Sequence, residues 1–264
     1  MSTPAPILVG VDGSPSSIEA ADVAGREAVY RDTDLVLVHI GPADDRVFER
    51  ALSRLRLQHP TVRVRTRHSP GGADRADAEV ADVLARHAAD GCLLLVGHRP
   101  NPPKRGAPPS VAQRIVDLTP VPAIVYRPVD LSCVTPEPRR VIVGVAPQGN
   151  PDVVLEFAAL EAVRRRTTLD VLCAVAVTSV DNRVEPDPAV VDAVHRWFDK
   201  YPEVGGRLHV RNGIDPAIAL MVESHTAQLV VIGTCGTNPP ASVAHALVHR
   251  AACPVAVVPD RSPR

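Results

Sequence analysis

Short apolar runs alternate with amphipathic stretches along the chain, and the whole pattern occurs twice. The run Ile7–Val11 recurs 134 residues later as Val141–Val145. In each copy a helical stretch leads to a second apolar run, a later run ends at Gly97 or Gly233, and a proline-led run closes the copy. A repeat of this length is a whole domain, so the sequence predicts two domains in tandem.

Strands alternate with helices in both copies, which predicts parallel sheets with helices on both faces. The expected strands of the first copy lie near 6–11, 34–40, 62–68, 92–97 and 122–126, and its helices near 16–31, 44–58, 76–89 and 110–118. The expected strands of the second copy lie near 140–145, 168–177, 206–211, 228–233 and 254–258, and its helices near 151–165, 188–200, 216–225 and 242–250. A proline-containing stretch without periodicity separates the copies, so the predicted domains are 1–128 and 139–264, with a linker at 129–138.

Three helices carry recognisable start signals. Ser16 with Glu19 predicts a capping box for the first helix, and Ser110 with Gln113 predicts one for the fourth. Asn150-Pro151 predicts an N-cap residue followed by a first-turn proline.

The third and fifth strands of each copy differ from the buried strands. Arg63–Arg67 and Arg207–Arg211 alternate basic and apolar residues, as a stripe that binds anions or nucleic acid would, or as a charged edge strand would. The near-neutral charge of the chain favours the edge strand. The fifth strands are apolar on both faces and would need cover if a flavodoxin-like sheet has strand three at one edge and strand five at the other. We therefore expect 122–126 and 254–258 to pair at a pseudo-twofold interface.

Composition and charge narrow the functional classes. The formal net charge of −1 argues against nonspecific nucleic-acid binding. The five cysteines are odd in number and have no metal-binding spacing, which argues against a disulfide framework or a zinc site and suits a reducing cytoplasm. Because no secretory signal and no apolar run of about 20 residues occur, we expect a cytoplasmic protein without a membrane partner.

Motifs for catalysis or metal binding do not stand out. The sequence has no Gly-x-Ser-x-Gly elbow and no Gly-x-x-x-x-Gly-Lys loop, so no catalytic residue is predicted. His245 and His249 have a spacing that can bind metal, but surface histidines are the favoured interpretation and no metal site is predicted. His39 lies inside an apolar run and is expected to be a hydrogen-bonded core residue. Cys235 is favoured as a small loop residue over a redox thiol.

Several of these segments, taken in order, resemble the universal stress protein family. They are Val9–Ser14, Val38–Ile40, Leu94–Gly97, Ser110-Val111 and Cys253–Val258, and the order occurs in both halves. The resemblance implies two flavodoxin-like (adenine nucleotide alpha hydrolase-like) domains and a dimer. One branch of the family binds ATP through a glycine-rich loop between strand four and helix four, because glycines let the backbone approach phosphates closely.

The resemblance implies a partial ATP site in the first domain only. Its residues are Val11, Asp12, Ile40, Val96, Gly97, Ser110 and Val111. Pro100 and Pro109 replace two loop glycines, and proline offers no N–H to a phosphate. Lys104 and Arg105 are an alternative source of positive charge. The alternative role for Asp12 is to cap the turn before the first helix.

The second domain departs further from the family pattern. Ala146 takes the acidic position, and Ser242 follows Gly233 after nine residues where the family pattern has fourteen, so the loop is too short to enclose a triphosphate. This domain is interpreted as a structural or regulatory copy.

The functional hypothesis is a non-enzymatic stress-response regulator or interaction module, with weak ATP binding in the first domain. The alternatives are a nucleotide-independent scaffold that binds protein partners, and an ATP-hydrolysing enzyme. Unidentified protein partners and a homodimer are expected.

Overall fold

The computed structural model describes residues 4–70, 77–98, 109–127, 139–147, 151–175, 185–234 and 243–259. The chain separates into two compact units, unit 1 built from Met1–Arg127 and unit 2 from Pro128–Ser262. The predicted linker at 129–138 lies outside the described residues.

Unit 1 is an α/β unit with a parallel sheet. Its elements are β1 (Ile7–Gly10), α1 (Pro15–Arg31), β2 (Leu35–Gly41), α2 (Asp45–Gln58), β3 (Val64–Pro70), α3 (Asp77–Ala88), β4 (Leu93–Gly97), α4 (Val111–Leu118) and β5 (Ala123–Tyr126). The strand order is β3-β2-β1-β4-β5, and each neighbouring pair is parallel. Right-handed crossovers put α1 and α2 on one face and α3 and α4 on the other, and each of these helix pairs is in contact.

Unit 2 repeats the arrangement. Its elements are β6 (Arg140–Val145), α5 (Asp152–Arg165), β7 (Leu169–Val175), α6 (Pro188–Lys200), β8 (Gly206–Asn212), α7 (Pro216–Glu223), β9 (Ala227–Thr234), α8 (Val243–Arg250) and β10 (Val255–Pro259). The strand order is β10-β9-β6-β7-β8, again with parallel neighbours.

The fold class expected from the sequence, two flavodoxin-like α/β domains in tandem, is confirmed, and each described element overlaps its predicted span. The central strands are buried on both faces, with Ile7, Leu8 and Leu93–Leu95 at most 1% exposed. Such strands give continuous apolar runs in the sequence, which is why their positions could be predicted. Aliphatic side chains fill both cores because aromatic residues are only 3% of the chain.

The basic third strands lie at the outer edge of each sheet, as the edge-strand interpretation predicted. Side chains of both strands contact acidic residues at or beside the neighbouring strand. Arg65 Nη2 is 2.9 Å from Asp34 Oδ2, and His209 Nε2 is 3.3 Å from Asp170 Oδ2. These contacts favour a protected edge over an open anion-binding stripe.

Two of the predicted helix starts are wrong and one is confirmed. The N-cap of α1 is Ser14, whose side chain accepts from Ser17 N, because Pro15 with its fixed φ suits the first helical position. Pro151 is the N-cap of α5 and provides no side-chain cap, whereas Asn150 lies outside the described residues. The capping box of α4 is present as predicted.

Across the described ranges, no helix has both the length and the apolar character needed to cross a membrane.

Candidate functional site

Strand order reverses between β1 and β4 of unit 1, and open α/β sheets bind ligands outside the carboxyl ends of the strands at such a point. The register pairs Val9 with Leu95. Asp12 follows β1 and Gly97 ends β4, so both lie at this edge. Ile40 lies near the end of β2, the next strand. The sheet therefore brings the residues predicted on β1, β2 and β4, including buried Val11 and Val96, to one edge.

Asp12 shapes the turn between β1 and α1. Its Oδ1 accepts from Ser14 N at 2.9 Å and from Ser14 Oγ at 2.6 Å, and its own N–H donates to Ser17 Oγ at 3.3 Å. Asp12 is exposed, and Gly13 has a φ of +80°. Asp12 therefore has the turn-capping role that the sequence analysis named as an alternative. Its side chain is exposed at this edge of the sheet.

Gly97 is in close contact with the first turn of α1. A Cβ atom at Gly97 would lie 2.6 Å from the carbonyl carbon and oxygen of Ser16 and 2.9 Å from the nitrogen of Ser17. Packing of α1 on β4 thus requires glycine at this position, whatever ligand the site holds.

Ser110 and Val111 begin α4. Ser110 N donates to Gln113 Oε1 at 2.9 Å, and Ser110 Oγ accepts from Gln113 N at 3.4 Å. The hydroxyl of Ser110 therefore already caps the helix. The loop residues Pro100, Lys104 and Arg105 lie outside the described residues.

His39 joins the segment that follows β1 to the turn that follows β2. Its Nδ1 lies 2.8 Å from the carbonyl oxygen of Val11, and its Nε2 lies 3.1 Å from that of Pro42. His39 is 8% exposed, so the expected hydrogen-bonded core residue is confirmed. The contacts fix the backbone after β1 against the turn after β2.

Sequence reasoning missed the pair formed by His98 and Arg127. His98 follows β4 and Arg127 follows β5, and Arg127 Nη2 lies 2.6 Å from His98 Nε2. The His98 N–H donates to the carbonyl oxygen of Tyr126 at 3.0 Å, which continues the strand pairing. The available signal was position alone, since each residue directly follows a predicted strand.

Tyr126 stands beside α1. Burial raises the pKa of its hydroxyl first, and the charge and hydrogen bond of the Glu19 carboxylate raise that pKa further. Tyr126 therefore stays neutral and fixes the end of β5 to α1.

The same edge of unit 2 carries different side chains. Ala146 stands where unit 1 has Asp12, and the pairing of Val145 with Cys173 puts Cys173 where unit 1 has His39. The β9–β10 register puts Thr234 and Pro259 where unit 1 has His98 and Arg127. Burial raises the pKa of the Cys173 thiol. Unit 2 thus lacks at these positions the charged and imidazole groups of unit 1, and Cys235, Gly236 and Ser242 lie outside the described residues.

A serine–histidine contact on β3 and α3 does not have the hydrogen-bond direction of a catalytic dyad. His87 Nε2 lies 2.7 Å from Ser69 Oγ, and Arg67 Nη1 lies 3.1 Å from His87 Nδ1. Arginine can only donate, so Nδ1 accepts and the ring hydrogen sits on Nε2, facing Ser69. In this tautomer His87 cannot take the proton of the serine hydroxyl.

Comparison with known proteins identifies the family. A model of the universal stress protein family matches residues 5–127 and again residues 137–259. The chain belongs to the universal stress protein family. It carries the family domain twice, as the sequence resemblance implied. No curated protein matches the sequence.

Two of the similar solved structures match both domains of this chain, and a third matches about half of it. The protein from Archaeoglobus fulgidus DSM 4304 is 13% identical, covers 96% of this chain and 96% of its own, and has a TM-score of 0.69. A protein from Pseudomonas aeruginosa UCBPP-PA14 is 17% identical, with 97% and 93% covered and a TM-score of 0.65. A universal stress protein from Archaeoglobus fulgidus in complex with dAMP is 20% identical and covers 46% of this chain and 97% of its own, with a TM-score of 0.36.

Proposed function

We propose that this universal stress protein is a non-enzymatic stress-response regulator that binds an adenine nucleotide, such as ATP, in unit 1 only. The observation that carries the proposal is the contrast between the two carboxyl edges. Unit 1 keeps an exposed carboxylate at Asp12 and the buried histidines His39 and His98 there, whereas unit 2 has Ala146 and the buried Cys173.

The edge of unit 1 offers a suitable group for each part of a nucleoside. Half-buried Ile40 provides apolar surface for a base, and His39 holds the backbone of Val11 beside it. Asp12 can accept from ribose hydroxyls, because its carboxylate is exposed and a carboxylate has about four lone-pair sites.

The proposed mechanism is nucleotide-dependent regulation of protein partners. Filling the edge would change the surface beside Asp12, and a partner that recognises this surface would sense the nucleotide. The partners are proposed to be proteins, and the chain is proposed to act as a homodimer in the cytoplasm. Sedimentation of the purified chain with and without ATP tests the dimer, and a monomer under both conditions would exclude it.

Calorimetric titration of magnesium–ATP into the full chain tests nucleotide binding. We expect one site per chain, whereas two sites would show that unit 2 also binds. Asp12→Asn should weaken nucleotide binding because it removes the negative charge of the side chain. Asparagine keeps an oxygen that can accept from Ser14, so the turn is preserved. Asp215→Asn is the matched control, since it makes the same change in an exposed carboxylate of unit 2 that also accepts from backbone N–H groups.

The two alternatives predict different results. For a nucleotide-independent scaffold, ATP would produce no heat and partner capture would be the same with and without ATP. For an ATP-hydrolysing enzyme, phosphate release would exceed background and fall in Asp12→Asn. Either result would replace the regulator proposed here.

A further inference from the structure

The His98–Arg127 pair places a permanent positive charge at the carboxyl edge of unit 1. Arg127 Nη2 lies 2.6 Å from His98 Nε2, and His98 is only 8% exposed. Because a guanidinium keeps its protons in proteins, Nε2 must accept and the ring hydrogen sits on Nδ1. The arginine therefore selects the tautomer of His98, and the imidazole orients the guanidinium.

Strand alternation shows which way this pair faces. A Cβ atom at Gly97 would point at the first turn of α1, and Tyr126 interacts with a carboxylate of α1. Successive strand residues point to opposite faces, so His98 and Arg127 face the side that α3 and α4 cover. The capped start of α4 belongs to that same side of the sheet.

The loop between β4 and α4 offers fewer backbone N–H groups than a glycine-rich phosphate loop, because several of its residues are prolines. Backbone N–H groups bind phosphates in glycine-rich loops, and here Pro100 and Pro109 have none to offer. A guanidinium can replace such donors, because it carries five N–H groups in a planar fork that matches phosphate oxygens. It can contact His98 and an anion at the same time.

We propose that Arg127, oriented by His98, binds the phosphate groups of the adenine nucleotide in unit 1. The inference rests on the proposed function and adds the residue that recognises the phosphate. His98 is a positioning residue in this scheme and Arg127 is the contact. Thr234 and Pro259 at the matching positions of unit 2 supply no cation, so phosphate recognition is confined to unit 1.

Titration of ATP and adenosine into the full chain separates phosphate recognition from base recognition. Arg127→Gln should weaken ATP binding by about tenfold or more, as the loss of a charge-assisted hydrogen bond requires. Its affinity for adenosine should stay unchanged. Arg114→Gln is the matched control, because it removes the same charge from α4, where Arg114 pairs with Asp82 at 3.8 Å.

His98 provides a second arm with its own control. His98→Ala should weaken ATP binding because the guanidinium loses its orienting partner. His98→Asn should restore much of the affinity, since an amide oxygen can accept from Arg127. Circular dichroism tests whether each variant is folded. If Arg127→Gln does not fold, Arg127→Lys replaces it, and an intermediate loss of ATP affinity is expected.

The outcomes separate the two proposals. Equal ATP affinity in Arg127→Gln and wild type overturns the role of Arg127 and leaves nucleotide binding in place. Parallel losses for ATP and adenosine also overturn it, since they indicate general damage to the site. No binding of either ligand by the wild type overturns both proposals.

Discussion

Gly97 lies so close to Ser16 that a Cβ atom would come within 2.6 Å of the Ser16 carbonyl group. A Cβ atom at the equivalent Gly233 of unit 2 would have its nearest neighbours among the described residues at 3.9 Å, which is ordinary van der Waals contact. The first glycine is thus required by packing between β4 and α1. A glycine that resembles part of a phosphate loop has, in unit 1, a structural reason of its own.

This contrast predicts that replacing the two glycines by alanine has different effects on the free energy of unfolding. Gly97→Ala should lower the free energy of unfolding by about 1–3 kcal/mol, because backbone atoms of α1 cannot move aside as a flexible side chain can. Gly233→Ala should change it by less than about 0.5 kcal/mol. Guanidinium denaturation of the full chain measures both. Equal effects in the two variants would contradict the packing argument.

His39 is expected to stabilise unit 1 through the backbone carbonyl groups that it contacts. His39→Cys installs the residue that unit 2 has at the matching position and leaves the carbonyl of Val11 without its side-chain partner. The expected loss is about 1–3 kcal/mol. His68→Cys is the control, because exposed His68 contacts the Gly41 carbonyl at 2.9 Å, where water can replace it. A wild-type unfolding midpoint for His39→Cys would show that the contacts add no stability.

The positions of the strands and helices could be predicted because each depends on a local pattern. Buried parallel strands such as β4 are continuous apolar runs, and the amphipathic helices repeat with their own period. The predicted start of α1 was wrong. Ser16 and Glu19 fit the sequence pattern of a capping box, but Pro15 occupies the first helical position and Ser14 is the N-cap. Local patterns compete at helix ends, so ends are less certain than interiors.

The site could be predicted only in part, because its contacts join distant segments. His98 and Arg127 are 29 residues apart, and only the β4–β5 register brings them together. A glycine that helix packing requires and a glycine that lets a phosphate approach look identical in a sequence. The packing role of Gly97 could therefore not be recognised before the structure was known. The roles of the seven site residues and the pairing of the two fifth strands stay predictions.

Stability at mildly acidic pH should depend on His87. Burial lowers the pKa of His87 first, and the nearby charges of Arg67 and Arg86 lower it further. A folded-state pKa below the ordinary value of about 6.5 means that the unfolded chain binds the proton first. Stability is therefore complete above about pH 6.5 and is lost as the pH falls through the folded-state pKa.

His87→Gln removes this titration. Urea denaturation at several pH values between neutral and mildly acidic should show a smaller acid-induced loss for His87→Gln than for wild type. Arg67→Gln should give an intermediate loss, because it removes one of the charges that oppose protonation. Identical pH profiles for wild type and His87→Gln would rule out this contribution.

Tyr126 should have the opposite pH dependence, at alkaline pH. Its pKa is raised by burial and by the Glu19 carboxylate, so the folded protein holds the hydroxyl proton more tightly than the unfolded chain does. The stability that depends on the neutral hydroxyl is fully present below about pH 10 and is lost as the pH rises through the folded-state pKa. Tyr126→Phe keeps the ring and removes the titrating group, so its stability should fall less above pH 10.

Two measurements together test the assignment of this alkaline effect. Tyrosinate absorbance follows the three tyrosines of the chain, and Tyr126→Phe should remove one component that titrates at high pH. Glu19→Gln should shift that component to lower pH, because it removes the negative charge that opposes ionisation and leaves burial unchanged. If Glu19→Gln leaves the component where it was, burial alone holds the pKa of Tyr126 up, and the carboxylate of α1 does not contribute.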